Sequence, residues 1–209
     1  MNPRELVDQI RSGPASLVLD KPLRFRRRTR SNPCDFNDFL LALQSSETIR
    51  IVVCGYPQEL GITEDEWVLL VKTLGSIQDI HHLEFYCMHG SRYFNPSQAV
   101  AEAVNNAHSL CELRIDLHRG TNPGDSSGLT ALANALREHI ALQEFIWIDH
   151  SSRMEAVQGV TSDVVLWTLS ACPHLRKKVT IMSEHASSGY MNHLLHLQSP
   201  TALRSCLPS

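Results

Sequence analysis

Histidine is the residue type in this chain whose number and spacing first suggest chemistry. Eleven of the 209 residues are histidines, and His118 and His150 follow two successive apolar stretches at equivalent positions. If those stretches are neighbouring parallel strands, the two imidazoles lie about 5 Å apart and could share a metal ion. A zinc site needs three or four ligands with supporting partners, and the only nearby carboxylates are Asp116 and Asp149. We therefore expect these histidines to bond to backbone groups in turns, and we predict no metal site.

A second candidate is the basic stretch at residues 21–30, in which six of ten residues are positively charged. Crowded guanidinium groups bind phosphate or acidic protein, and basic runs also serve as nuclear-import signals. The alternative, which we favour, is a solvated loop between a strand and a helix. Nucleic acid is not expected as a partner, because the whole chain has a formal charge of −3 and the remainder is therefore negative. The candidate residues for an anion or an acidic partner are Arg24, Arg26, Arg27, Arg28 and Arg30.

Catalytic motifs are not found in the sequence. It contains no glycine-rich phosphate loop, no G-x-S-x-G motif and no H-E-x-x-H motif. In a parallel α/β sheet, catalytic groups are expected at the carboxyl ends of the strands. The residues at those positions do not form a recognisable catalytic set: Asp20, Cys54, Met88, His118 and His150. The sequence therefore predicts a non-enzymatic protein without a cofactor.

The elements that would position these residues recur along the chain. Seven short apolar stretches are spaced 32, 34, 30, 32, 33 and 28 residues apart, and a period near 30 indicates one stacked supersecondary unit. Apolar residues also lie nine and thirteen positions before five of the stretches, as Leu40 and Phe36 do in the second unit. Each unit is thus predicted to be a helix with one apolar face, a turn and a strand. The reference residues of the stretches are Leu17, Ile49, Leu83, Leu113, Phe145, Lys178 and Cys206.

Start signals and apolar patterns set the predicted boundaries. Asn-Pro pairs precede three helical segments, and both residues are favoured where helices begin. Thr63 and Glu66 have the spacing of a capping box. The predicted helices are residues 3–11, 33–44, 63–75, 96–108, 127–139, 161–171 and 189–198. The predicted strands are residues 16–20, 49–53, 83–87, 113–117, 144–149, 177–182 and 203–206.

Composition favours a soluble protein with reduced cysteines. Charged residues make up 20% of the chain, and no run of 18 apolar residues is present that could cross a membrane. The N-terminal residues are polar and lack the apolar stretch of a secretory signal. The six cysteines include no C-x-x-C pair, and four lie in or beside predicted strands, where a free thiol behaves as a small apolar group. We therefore expect a cytoplasmic or nuclear protein without membrane contact.

The strand pattern Leu-x-x-Leu-x-Leu, joined to an amphipathic helix, resembles the leucine-rich repeat of the ribonuclease-inhibitor type. The best matches are Leu110-x-x-Leu113-x-Ile115, Ile80-x-x-Leu83-x-Phe85 and Leu142-x-x-Phe145-x-Trp147. The resemblance implies an α/β fold in which residues 1–209 form one curved solenoid (horseshoe) of about six to seven repeats, with a parallel sheet on the concave side. Proteins of this family mostly bind other proteins. The repeats are degenerate, since the position that the family fills with Asn or Cys fits only at Cys54.

The concave face of such a solenoid would display the strand residues that alternate with the core residues. Tyr and Arg at these positions are favoured anchors of protein interfaces. The alternative is that these residues only stabilise a parallel sheet whose two faces are both buried. The candidate protein-binding residues are Arg50, Val52, Glu84, Tyr86, Arg114, Asp116, Ile146 and Ile148.

Three further questions stay open on the sequence alone. The same alternation of helices and strands occurs in enzymes with a compact doubly wound α/β fold. The last unit has no polar cap, so the C-terminal end of a solenoid could stack into oligomers. In residues 174–182 a slip of one residue would turn Val179 and Ile181 inwards.

Overall fold

Six helices and seven strands form from the residues that a computed structural model describes, which are 2–23, 25, 36–85, 96–117, 126–149, 172–175, 177–184 and 191–196. The helices are α1 (Pro3–Arg11), α2 (Phe36–Gln44), α3 (Pro57–Leu60), α4 (Glu64–Gly75), α5 (Pro96–Asn106) and α6 (Ser126–Glu138). The strands are β1 (Ser16–Leu19), β2 (Ile51–Cys54), β3 (His82–Phe85), β4 (Glu112–Leu117), β5 (Glu144–Asp149), β6 (Lys177–Glu184) and β7 (Met191–His196). The short helix α3 was not predicted. The predicted helix 161–171 and strand 203–206 lie outside the described residues.

The strands form one sheet in the order of the chain, β1-β2-β3-β4-β5-β6-β7. Each neighbouring pair from β1 to β6 is parallel. Parallel neighbours require a crossover between them, and α2, α4, α5 and α6 lie in four of those connections. The predicted α/β class with a parallel sheet is therefore confirmed.

The predicted helix at residues 189–198 is wrong, because this segment contains strand β7 (Met191–His196), which pairs antiparallel with β6. The apolar residues Leu194 and Leu195 suggested a helix face, but a segment this short forms only a marginal helix by itself. Pairing with β6 satisfies its backbone groups instead. A returning strand thus takes the place of the predicted helix of the last unit.

One backbone hydrogen-bond pattern recurs at the four junctions where β2, β3, β4 and β5 begin. At each junction one carbonyl oxygen accepts hydrogen bonds from two consecutive backbone N–H groups of the next unit, at 2.8 to 3.2 Å. The accepting residues are Ala15, Arg50, His81 and Cys111, and the donor pairs are Arg50/Ile51, His81/His82, Cys111/Glu112 and Gln143/Glu144. The pattern repeats over four junctions, so the first five units have equivalent backbone positions.

The register of β2 differs from the prediction. Leu17 pairs with Val52, and Val52 pairs with Leu83, so Val52 and not Ile49 is the reference residue of the second unit. Ile49 is instead the first residue of the pattern Leu-x-x-Leu-x-Leu, read as Ile49-x-x-Val52-x-Cys54. The change of reference residue also changes the two predicted core residues of the preceding helix. The residues thirteen and nine positions before Val52 are Phe39 and Leu43. Both are completely buried, whereas the predicted Leu40 is only half-buried.

A single apolar core lies between the helices and one face of the sheet. Neighbouring helices contact each other in order, α1 with α2, α2 with α4, α4 with α5 and α5 with α6. Val100 of α5 and Leu132 of α6 are fully buried with Leu113 of β4, as the helix periodicity predicted. The third predicted residue of that set, Val165, lies outside the described residues.

Local signals explain where two of the helices begin. The Asn2 side chain accepts a hydrogen bond from the N–H of Arg4, and Pro3 occupies the first helical position of α1. The Thr63 hydroxyl accepts from the N–H of Glu66 at 3.2 Å, and the Glu66 carboxylate accepts from the N–H of Thr63 at 2.7 Å. The predicted capping box of α4 is therefore confirmed.

Candidate functional site

The sheet face opposite the helices is accessible over part of its area. Along β1, β2 and β3 buried residues alternate with exposed or half-buried ones, as expected for a sheet covered on one face. We call the sheet face on which these exposed and half-buried residues lie the open face. Its residues on β1 to β5 are Ser16, Val18, Ile51, Val53, His82, Glu84, Glu112, Arg114, Asp116, Glu144, Ile146 and Ile148.

Three aliphatic side chains lie together on the open face of β1 and β2. Val18 is 48% exposed and Ile51 is 41% exposed, and Val53 pairs directly with Val18 in the register. Ile51 pairs with Ser16, which is two residues from Val18, so the three side chains are direct or diagonal neighbours. We call Val18, Ile51 and Val53 the aliphatic cluster.

Four charged or titratable side chains lie beside the aliphatic cluster on β3 and β4. The register pairs His82 with Glu112 and Glu84 with Arg114. The Nδ1 atom of His82 is 3.1 Å from Glu112 Oε2, and its Nε2 atom is 3.7 Å from Glu84 Oε2. The Nε atom of Arg114 is 3.3 Å from Glu84 Oε1. We call His82, Glu84, Glu112 and Arg114 the charged cluster.

The ion pair between Arg114 and Glu84 lacks good hydrogen-bond geometry. The Arg114 Nε atom is buried, and no hydrogen bond within the described residues satisfies it, although the Glu84 oxygen is at ion-pair distance. The Arg114 side chain as a whole remains one-third exposed. We interpret this contact as electrostatic attraction at a partly solvent-exposed site. Such an ion pair contributes about 0–1 kcal/mol to stability.

The predicted protein-binding residues differ in where the structure places them and in how exposed they are. Val52 was wrongly assigned to the binding face, because it is fully buried on the helix side as a consequence of the register of β2. Arg50 precedes β2, and its guanidinium pairs with Asp79 at 3.1 Å. Asp116 and Ile148 have open-face positions but are only 8% and 6% exposed, so they offer little surface.

Some of the remaining predicted residues lie on the open face, and the others lie outside the described residues. Glu84, Arg114 and Ile146 lie half-buried on the open face. In the strand register Val179 pairs with Ile146 and Ile181 pairs with Ile148. Outside the described residues lie Tyr86, Arg24, Arg26, Arg27, Arg28 and Arg30.

The open face contains residues that the sequence prediction missed. Ile51 and Val53 were missed because the assumed register of β2 was wrong. His82 and Glu112 were missed because only the residues that flank the second core position of each strand were considered. Counting two residues back from Glu84 and Arg114 along each strand finds them, since alternate residues share a face.

Histidines in the turns bond to backbone groups. The Nε2 atom of His139 is 2.8 Å from the carbonyl oxygen of Ala107, and its Nδ1 atom accepts from the N–H of Leu142. This arrangement requires a neutral imidazole with its proton on Nε2. His174 contacts the carbonyl oxygen of Leu136 at 3.2 Å. His118 and His150, for which we predicted such bonds, lie outside the described residues.

No metal-binding group is found among the described residues, where no three His, Cys, Asp or Glu side chains are arranged to hold an ion. Cys54, Cys111 and Cys172 are free thiols. Cys54 is buried at the end of β2, and burial raises the pKa of its thiol to about 12. A thiol in this state is a core residue and not a nucleophile.

The Cys54 thiol is expected to resist alkylation in the folded protein. With a pKa of about 12, only about one in ten thousand Cys54 side chains is a thiolate at about pH 8. Cys111 is half-buried and serves as the internal comparison. Iodoacetamide labelling followed by peptide mass spectrometry should modify Cys54 about a hundredfold more slowly than Cys111. In urea the two rates should converge, and equal rates in the folded protein would contradict this expectation.

No family model, no curated protein and no solved structure matches the chain. None of the described helices is long and apolar enough to cross a membrane. A functional interpretation therefore depends on the open face itself.

Proposed function

We propose that this chain is a non-catalytic protein-binding module that holds its partner against the open face. In this proposal the helix–strand units form a curved solenoid of the kind that the leucine-rich-repeat resemblance implies, with the open face on its concave side. Three observations support the stacked arrangement. The strands follow in chain order, the four junctions share one hydrogen-bond pattern, and the crossover helices α2, α4, α5 and α6 contact one another in chain order.

The observation that carries the proposal is the exposure of the aliphatic cluster on a parallel sheet. Parallel sheets normally have both faces covered, but Val18 and Ile51 remain 48% and 41% exposed on the face opposite the helices. Contiguous exposed apolar residues bordered by polar ones are typical of protein interaction surfaces. The charged cluster provides such a border on the next two strands.

The physical basis of binding would be a rigid, preformed surface. Every residue of the aliphatic cluster lies on a strand that is hydrogen-bonded to its neighbour, so its position is fixed before the partner arrives. Binding then costs little ordering entropy, which improves affinity for a given contact area.

The proposal is tested by placing charge in the aliphatic cluster. The double variant Val18→Asp/Ile51→Asp should retain its fold, because both side chains are exposed, and should lose about tenfold or more in affinity for proteins that bind the open face. Partners captured by the intact chain are identified by quantitative mass spectrometry, purified and measured by titration calorimetry.

The matched control introduces the same charge on the helical layer. Leu41→Asp/Leu69→Asp replaces two aliphatic side chains that are also exposed, on α2 and α4. Urea unfolding of both variants verifies that each is folded. Partners that bind the Val18→Asp/Ile51→Asp protein as tightly as the control protein would contradict the proposal.

A further inference from the structure

The two halves of the open face differ in chemistry. The half on β1 and β2 contains the aliphatic cluster, whereas the half on β3 to β5 contains carboxylates. The acidic residues of that half are Glu84, Glu112, Asp116 and Glu144. Arg114 is the one cation among the described side chains of this half, and the register places Lys177 beside Glu144.

The contacts within the charged cluster leave room for another cation. Both ring nitrogens of His82 face carboxylate oxygens, of Glu112 at 3.1 Å and of Glu84 at 3.7 Å. Only the contact with Glu112 is within hydrogen-bond distance, since 3.7 Å to Glu84 is too long for a hydrogen bond. Glu112 and Arg114 are each about one-third exposed, so the Glu112 carboxylate is accessible to a donor from outside.

We propose that the partner of the open face presents a cationic side chain, Arg or Lys, to the charged cluster and an aliphatic side chain to the aliphatic cluster. This inference rests on the proposed function and specifies the chemistry of the partner. Opposite charge at the β3 and β4 half strengthens and orients the contact, and exposed aliphatic area at the β1 and β2 half supplies apolar burial.

The strand spacing sets the distance between the two partner side chains. Adjacent strands are about 4.8 Å apart, so the centres of the β1–β2 and β3–β4 pairs are separated by about 10 Å. An extended segment that crosses the strands covers this distance in about three residues. The expected pattern is therefore an aliphatic residue and a basic residue about three positions apart. An acidic segment would be attracted by Arg114 alone and repelled by the carboxylates.

A library of random short peptides displayed on phage tests this inference without a known partner. Selection on the intact protein should enrich peptides in which Arg or Lys lies about three residues from an aliphatic residue. Each selected peptide is synthesised, and its Kd is measured by calorimetry at low and at physiological salt. Affinity should fall as salt rises, because the charged half of the contact is partly exposed.

Charge-removing variants locate the contact. Glu84→Gln/Glu112→Gln should weaken the selected peptides by about fivefold or more. Asp65→Asn/Glu138→Gln removes the same net charge at exposed helix positions and should change Kd less than about twofold. Exchanging the basic peptide residue for Glu should abolish binding to the intact protein, and this measurement does not depend on how the variants fold.

The outcomes separate this inference from the proposed function. If the selected peptides fail to bind the Val18→Asp/Ile51→Asp protein but show no preference for basic residues, or a preference for acidic ones, the inference of a cationic partner is wrong. The proposal that the open face binds protein would still stand. A selection that yields no peptide sensitive to Val18→Asp/Ile51→Asp contradicts both.

Discussion

Replacement of Trp67 by alanine is expected to lower the free energy of unfolding by about 3–5 kcal/mol. Trp67 on α4 is among the largest fully buried side chains, and its ring packs against Phe85 of β3 with a centroid distance of 6.0 Å. Its Nε1–H donates to the carbonyl oxygen of Gly55 at 2.8 Å. The alanine variant loses this apolar burial, leaves a cavity between α4 and the sheet, and leaves the buried Gly55 carbonyl without the indole donor. Urea unfolding followed by circular dichroism measures the change.

The variant Trp67→Phe separates the hydrogen bond from the packing. Phenylalanine keeps much of the apolar contact with Phe85 but cannot donate to the carbonyl oxygen of Gly55. The expected loss is about 1–3 kcal/mol, because the Gly55 carbonyl oxygen loses its indole donor and keeps the weaker thiol donor of Cys54 at 3.4 Å. If Trp67→Phe costs as much as Trp67→Ala, the hydrogen bond dominates the site, and if Trp67→Ala costs less than about 1 kcal/mol, the packing argument is wrong.

The parts of the fold that were predictable are those with local signals. The predicted bounds of α1 match the structure at both ends, because Asn2 and Pro3 mark its start. The Thr63 and Glu66 capping box marks the start of α4 in the same way. The predicted bounds of β5 are also those of the structure, since Phe145 and Trp147 alternate with Glu144 and Ile146. In each case neighbours within a few residues determine the structure.

The register of β2 was not predictable from its own residues. Residues 49–54 are Ile-Arg-Ile-Val-Val-Cys. The two core-facing residues of this strand could be Ile49 and Ile51 or equally Val52 and Cys54, because both pairs are apolar and two residues apart. Pairing with β1 and β3 selects the second set for the core, and that information lies some 30 residues away along the chain. The wrong register assigned Val52 to the binding face and left Ile51 and Val53 out of it. This one error therefore accounts for most of the aliphatic cluster that the prediction missed.

The charged cluster was predicted in part for a related reason. Glu84 and Arg114 were found because they lie between two strong core residues on their strands. Their contact, and the position of His82 between two carboxylates, depends on the pairing of β3 with β4. The pairing of β7 with β6 is a second nonlocal effect, because it turns an apolar segment that resembles a helix into a returning strand.

Gly75→Ala is expected to destabilise the protein by about 1–3 kcal/mol or more, although alanine is normally favoured over glycine in a helix. A Cβ atom on Gly75, the last residue of α4, would lie 2.6 Å from both the Cα and the carbonyl oxygen of Ala103 and 2.9 Å from its carbonyl carbon. Ala103 lies within α5 and is fully buried, so the clash is with helix backbone and not with the end of a flexible side chain. The two helices would have to move apart, which would loosen the contact between neighbouring units.

A second substitution distinguishes this clash from an ordinary side-chain contact. Because the clashing atoms belong to the backbone of Ala103, the change Ala103→Gly should not rescue Gly75→Ala, and the double variant should be no more stable than the single one. Gly13→Ala serves as the comparison, since Gly13 has a φ of +82° but its Cβ would approach nothing closer than 3.5 Å. It should cost about 1–2 kcal/mol through backbone strain alone. A Gly75→Ala protein that unfolds at the same or a higher urea concentration than the parent would show that α4 and α5 do not approach each other this closely.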